Sequence, residues 1–310
     1  MENMQFTKTF NQIGKNDADI AGGKGASLGE MTCLFEPGQA PAYNPIPEGF
    51  VILADAFNYF LEKSGLLAEV ESELNKINFE DTNSVEETSE RLRGLIDKID
   101  MPVEIMEEVN EGYRKLRKVK EGCEWVAVRS SATAEDSSTA SWAGELESYL
   151  FTNEKNLMTN VKKCWSSLFT PRAIFYRHEK GMIKNHVAVA VVVQRMINSD
   201  VSGITFTVHP VTKDPNQMII EAGWGLGEAI VGGMITPDDY IVSKSEARNP
   251  KSEINSKSQI QNKNYKLKAN SYKLEITDIM VNEQEKMIVA KKDCVVEEVD
   301  VPRNTLDKQK

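Results

Sequence analysis

Residues 128–151 read Val-Arg-Ser-Ser-Ala-Thr-Ala-Glu-Asp-Ser-Ser-Thr-Ala-Ser-Trp-Ala-Gly-Glu-Leu-Glu-Ser-Tyr-Leu-Phe. Three textures meet here. WVAVRSS (125–131) is apolar and β-branched, as a buried strand should be. TAEDSSTASWAG (133–144) is small and polar, which predicts a surface loop. ELESYLF (145–151) alternates like a half-buried strand. Arg129 ends the apolar run, so its guanidinium should emerge at a strand edge. A forked, permanently charged donor suits phosphate there. An ion pair with Glu135 or Asp136 is the alternative. The small residues Ser137 to Ser141 with Gly144 suit either a lid over phosphates or a plain surface loop.

Upstream, GFVIL (49–53) has the composition of a short buried strand, and ADAFNYFLEKSG (54–65) carries helical apolar spacing. Residues 66–120 read as several helices broken near Asn83 and Pro102. Downstream, residues 153–181 read as helical, with Pro171 suited to a helix start. HVAVAVVVQRM (186–196), SGITFTV (202–208) and MIIEAGW (218–224) read as strands, and YKLEITDIMVNEQEKMIVA (272–290) as a hairpin-type pattern. Residues 249–270, rich in Lys, Asn, Gln and Ser, suggest an exposed excursion. Helices dominate the first half and strands the second. That order predicts an α+β protein rather than a doubly wound sheet.

Three further segments carry candidate chemistry. AGGKGASLGEM (21–31) combines glycines, which permit close backbone approach, with a following helix whose free N–H groups suit an anion. Lys24 would add a point charge for phosphate. The spacing is not that of a Walker A loop, and a tight turn with a solvated lysine explains the same letters equally well. VVQRM (192–196) resembles a hinge where backbone groups meet an adenine edge and Met196 packs on the ring; an interior strand is the simpler alternative. EAGWGLGE (221–228) fails as a dinucleotide fingerprint for want of a βαβ context. Glu221 could reach a ribose or a cation, while Glu228 suits a role at the next helix.

Composition narrows the classes. A net charge of −10 argues against broad nucleic-acid binding. The excess is local: residues 69–111 carry 14 acidic and 4 basic side chains in a helical pattern, as a solvated helix face would. The four cysteines, Cys33, Cys123, Cys164 and Cys294, form no C-x-x-C pair, and His178, His186 and His209 lack metal-ligand spacing. No apolar run spans a bilayer and the first residues lack a secretory signal, so the cytoplasm is expected, with no membrane or nucleic-acid partner.

In order, GGKGASLGEM, VRSSATAEDSSTASWAGELESYL, VQRM, SGITFTVHPVT and EAGWGLGEAIVGGMITPDDY closely resemble one domain. It is the N-terminal nucleotide-binding domain of the phosphoenolpyruvate synthase and pyruvate phosphate dikinase family, shared by rifampicin phosphotransferase. The resemblance spans residues 6–300 and is most specific at 128–150. It implies an ATP-grasp fold whose two lobes, expected at 1–200 (with a helical region at 54–120) and 201–310, clamp ATP and magnesium. It implies that a phosphoryl group passes from ATP to a histidine on a swivelling domain, and then to pyruvate on a third domain or to an antibiotic. By the same resemblance, Lys24 and Arg129 contact the phosphates as the catalytic pair. Gly144 and Ser148 belong to the phosphate-covering loop, Gln194 and Met196 lie at the adenine, and Glu221 lies near the nucleoside. His209 has no Thr-Cys-His setting and is not expected to be the phosphorylated histidine.

The sequence departs from the family pattern in one motif. The family domain closes on a strand of the type D-I-E…Q-x-R-P, which supplies magnesium ligands and a phosphate-facing arginine. Residues 301–310 read VPRNTLDKQK without it. The expectation is therefore a second lobe ending before the metal-ligand strand, and a chain inactive alone. The swivel and pyruvate domains would lie in the same enzyme or a separate subunit. The alternatives are a non-catalytic nucleotide- or partner-binding module, and the ATP lobe of a rifampicin-type enzyme.

Overall fold

The structure, a computed structural model, describes residues 4–34, 45–119, 125–133, 146–183, 187–246, 272–290 and 296–301. It divides into two units, Met1–Ile197 and Asn198–Lys310. The first contains β1 (Thr7–Thr9), α1 (Ala18–Leu34), β2 (Gly49–Ile52), α2 (Ala54–Lys63), α3 (Leu67–Asn75), α4 (Thr82–Lys98) and α5 (Val103–Val119). It continues through β3 (Val126–Ala132), β4 (Ser148–Thr152), α6 (Leu157–Ser166), α7 (Pro171–Glu179) and β5 (Val189–Arg195).

The valine run of β5 is buried almost throughout because it is the middle of a five-stranded sheet, in the order β1-β2-β5-β3-β4. All four pairings are antiparallel. Side chains alternate across the sheet, so each face collects every second residue. One face carries Val126, Val128, Val191 and Val193 against Phe57, Leu92 and Trp165 of α2, α4 and α6. Trp165 anchors this core, with its ring 5.2 Å from Phe60 and 5.7 Å from Phe57. The opposite face carries Val51, Ala190 and Val192 against Ala21 of α1 and the preceding Phe10 and Ile13. Burial on both faces explains why β5 reads as a continuous apolar run.

Local signals set the helix starts. Pro171 opens α7, and the Thr170 hydroxyl accepts from Ala173 N at 3.2 Å. The helix break expected near Asn83 lies earlier. Asp81 caps α4 by accepting from Asn83 N at 3.0 Å, which places Asn83 inside the first turn.

The second unit contains β6 (Val201–Phe206), β7 (Gln217–Trp224), α8 (Glu228–Val231), β8 (Asp238–Glu246), β9 (Tyr272–Met280), β10 (Lys286–Ala290) and β11 (Val296–Asp300). β6-β7-β8-β9 form one antiparallel sheet, and β10 pairs with β11 in another. The mixture of helix and antiparallel sheet in the chain is α+β. The hairpin-type reading of 272–290 is corrected: β9 pairs with β8, whereas β10 pairs with β11. The link between them is tied elsewhere. Asn282 bonds Asp238 and Pro237, and buried Gln284 bonds Trp224, so the chain leaves the β6-β7-β8-β9 sheet instead of folding back along it.

Candidate functional site

The glycine-rich segment meets β3 on the α1 face of the first sheet. α1 is broken at Gly22, where φ is 68° and ψ is 169°. A Cβ there would overlap the hydroxyl and carbonyl of Ser131, so the close approach and the positive φ both require glycine. The fully buried Ser131 donates its hydroxyl to Ala21 O at 3.0 Å and accepts from Gly25 N at 3.2 Å. Lys24 thus lies in the first turn of the helical segment that restarts after the kink.

Arg129 precedes Ser131 by two residues, so strand alternation puts both on this face. Ser148 stands directly opposite Arg129 on β4, and directly paired residues share a face. The β3–β4 register shifts between Val126 and Val128, where β4 has one extra residue and Phe151 adopts φ 47°. Such bulges bend a strand and re-aim its side chains. Below the site, the Ser130 hydroxyl donates to Glu147 O at 2.5 Å. The Glu147 carboxylate accepts from Arg93 at 3.2 Å and from the Tyr149 hydroxyl. Burial, and then that bond to Glu147, push the Tyr149 pKa up.

Cys164 of α6 reports on the charges nearby. Burial and Glu147 push its thiol pKa up, while the Ser130 N–H and the Lys24 ammonium pull the other way.

Gln194 lies on the same face, opposite Ala127 and Gly49. Its Nε2 donates to Pro47 O at 3.0 Å, which holds the strand end in place. Met196 is half-buried, and its N–H is taken by Trp125 O at 3.0 Å. The structure therefore places Arg129, Ser148 and Gln194 on the sheet face against which α1, the helix that carries Lys24, is packed, with Met196 just beyond β5. Gly144 lies outside the described residues. Glu221 belongs to the second unit, on β7, opposite Ile204 and Asp239.

Around Glu221 the second glycine run is also pinned. Gly225 has φ 83° and bridges to Ile288, while its N–H donates to Asp200 O at 2.8 Å. Gln284 accepts from Trp224 N at 2.8 Å and donates to Trp224 O at 3.1 Å and Lys286 O at 2.9 Å. Glu228 opens α8 and is exposed. The His209 ring nitrogen Nδ1 accepts from Val211 N and Thr212 N at 3.2 and 3.3 Å. Ser131, Gln284 and Glu147 were not singled out in the sequence. The first lies within the quoted VRSS lettering, but no local pattern there set it apart.

This arrangement suits a polyphosphate. Arg129 lies on the sheet face that α1 packs against, and Lys24 lies in the first turn of the restarted helix pinned to Ser131, without a Walker A loop. Residues 18–309 match the family described as pyruvate phosphate dikinase, AMP/ATP-binding domain. The chain belongs to this family.

The dikinase-type domain has long relatives. It is 42% identical over 245 residues to a probable phosphoenolpyruvate synthase of Methanocaldococcus jannaschii, a match covering 78% of this chain and 20% of the relative. It is 40% identical over 275 residues to the phosphoenolpyruvate synthase of Pyrococcus furiosus, covering 77% of this chain and 33% of that protein. It is 35% identical over 243 residues to the rifampicin phosphotransferase of Bacillus cereus, covering 78% and 27%. The chain thus spans between a fifth and a third of the length of these curated relatives. Among the described residues, no helix is long and apolar enough to cross a membrane, and no group of three or more His, Cys, Asp or Glu could hold a metal ion.

Proposed function

We propose that this chain is the ATP-binding part of a phosphoenolpyruvate-synthase-like phosphotransferase with an ATP-grasp architecture, the units before and after residue 200 acting as its two lobes. The observation that carries this reading is the meeting of the Gly22–Gly25 segment with Ser131, two residues along the same face of β3 from Arg129. Lys24 and Arg129 hold the phosphates and stabilise the charge on the transferring phosphoryl group; such chemistry is mostly positioning and electrostatics. Gly144 and Ser148 cover the phosphates, Gln194 and Met196 flank the adenine, and Glu221 lies towards the nucleoside. Magnesium accompanies ATP in this reading, but the described residues do not themselves form a metal cage, so no step is drawn through it.

The acceptor is a histidine on a separate swivelling domain, which passes the group to pyruvate. The likeness to a rifampicin phosphotransferase makes an antibiotic the second acceptor to consider. The protein works in the cytoplasm. The test supplies the swivel domain of a phosphoenolpyruvate synthase together with this chain and radiolabelled ATP. The reading predicts acid-labile, base-stable label on the swivel domain, as phosphohistidine gives, provided that the remaining family motif is supplied too. ATP binding without any transfer under those conditions favours the non-catalytic module instead.

A further inference from the structure

Ser131 is buried without contributing to the apolar core, and both of its hydrogen bonds go to one place. A helix start leaves the amides of its first turn without intrahelical partners, and a side chain of the residue before the turn is a favoured acceptor for one of them. At the restart of α1 that residue is Gly22, which has no side chain and, with Ser131 packed against it, no room for one. The amide concerned is that of Gly25, three residues on, and it donates to Ser131 Oγ at 3.2 Å. The same hydroxyl donates to Ala21 O at 3.0 Å, on the other side of the kink, from 110 residues away in sequence. One oxygen therefore closes both sides of the break.

We propose that Ser131 is a positioning residue for nucleotide binding: a helix cap supplied from β3 that fixes Lys24 relative to Arg129 so that both charges meet one polyphosphate. This rests on the ATP reading above. The geometry makes the coupling direct. Lys24 sits between Gly23 and Gly25 in a stretch with little conformational preference of its own. Ser131 and Arg129 are two residues apart on a strand, roughly 6.6 Å at 3.3 Å per residue. Pinning the glycine run to Ser131 therefore sets the spacing between the two cations. Without the pin, Lys24 would sample positions that no longer match the phosphates held by Arg129.

The test titrates the whole chain with ATP and magnesium by calorimetry, for wild type, Ser131→Ala, Ser131→Cys, Lys24→Ala and the Lys24→Ala/Ser131→Ala double variant. Thermal midpoints are recorded alongside. Ser131→Ala should weaken binding by about tenfold, the size expected for one to two lost hydrogen bonds. Ser131→Cys keeps most of the volume with a poor hydrogen-bonding group, so it should lose affinity to a similar degree even if Ser131→Ala folds badly. In the double variant the serine change should add nothing to the lysine change, because its effect passes through Lys24. A residue that only supported the fold would lower the midpoint and leave affinity unchanged. Wild-type affinity in both serine variants, or losses that multiply in the double variant, overturn the proposal while leaving ATP binding intact. Failure of the wild type to bind ATP overturns the functional reading and this inference together.

Discussion

The glycine runs Gly22–Gly25 and Gly223–Gly227 are built alike but surrounded by opposite charge. Each contains a glycine at positive φ against a foreign backbone, Gly22 on Ser131 and Gly225 on Ile288. Each is pinned by a buried polar side chain distant in sequence, Ser131 for the first and Gln284 for the second. The first lies beside Lys24 and Arg129. The second follows Glu221, which faces Asp239 across the sheet. Glycine therefore marks where backbones approach closely, and the neighbouring charges decide what such a place can bind. The first run suits an anion; the second is held by structural bonds and borders carboxylates.

The contrast can be broken most forcefully at Gly22. Gly22→Ala forces a side chain into the Ser131 backbone at positive φ, and should destabilise the chain by about 4 kcal/mol or more in urea unfolding. A variant with wild-type stability would mean that the kink can relax and that the close approach is not required. Next, Lys24→Ala should weaken ATP binding by about 2 kcal/mol, roughly thirtyfold. An equal loss on removing Lys286, a cation of the second unit, would erase the distinction between the two runs.

Smaller effects sharpen it. Gln284→Ala leaves the Trp224 N–H and the Trp224 and Lys286 carbonyls without their partner, and should cost about 1–3 kcal/mol of stability, read from the urea midpoint. Glu221→Gln removes one of two carboxylates that stand directly opposite each other, and should leave stability unchanged or raise it by up to about 0.5 kcal/mol. A marked loss of stability would instead show that the Glu221 charge holds the second unit together.

Much of the first sheet was legible because its strands combine β-branched composition with clear ends: β3, β4 and β5 stand out in WVAVRSS, ELESYLF and HVAVAVVVQRM. Arg129 was legible as a charged residue on the apolar run, although β3 continues past it to Ala132, so it stands in the middle of the strand and not at the edge expected. β8 was unread, since DDYIVSKSE mixes charge with β-branched residues and has no flanking glycine or proline break at its second end. The 272–290 hairpin was misread because the loop length allowed one, and only the bonds of Asn282 and Gln284 to distant residues redirect the chain. Ser131 and Gln284 escaped notice for a related reason. Their partners lie 110 and 60 residues away, and no local pattern encodes a bond across such a distance. The glycines of AGGKGASLGEM did signal a turn before a helix, but their letters alone do not say which of them takes the positive φ found at Gly22.

The central claim is that the α1 face of the first sheet holds ATP through Lys24 and Arg129. The most direct test is calorimetric titration of the chain with ATP and magnesium, for wild type and Arg129→Ala. The account predicts measurable binding by the wild type and a loss of at least about 2 kcal/mol in the variant, because a charged phosphate contact is removed from a half-buried position in the middle of β3. Wild-type binding that survives Arg129→Ala unchanged would contradict it, and would move the nucleotide away from this face.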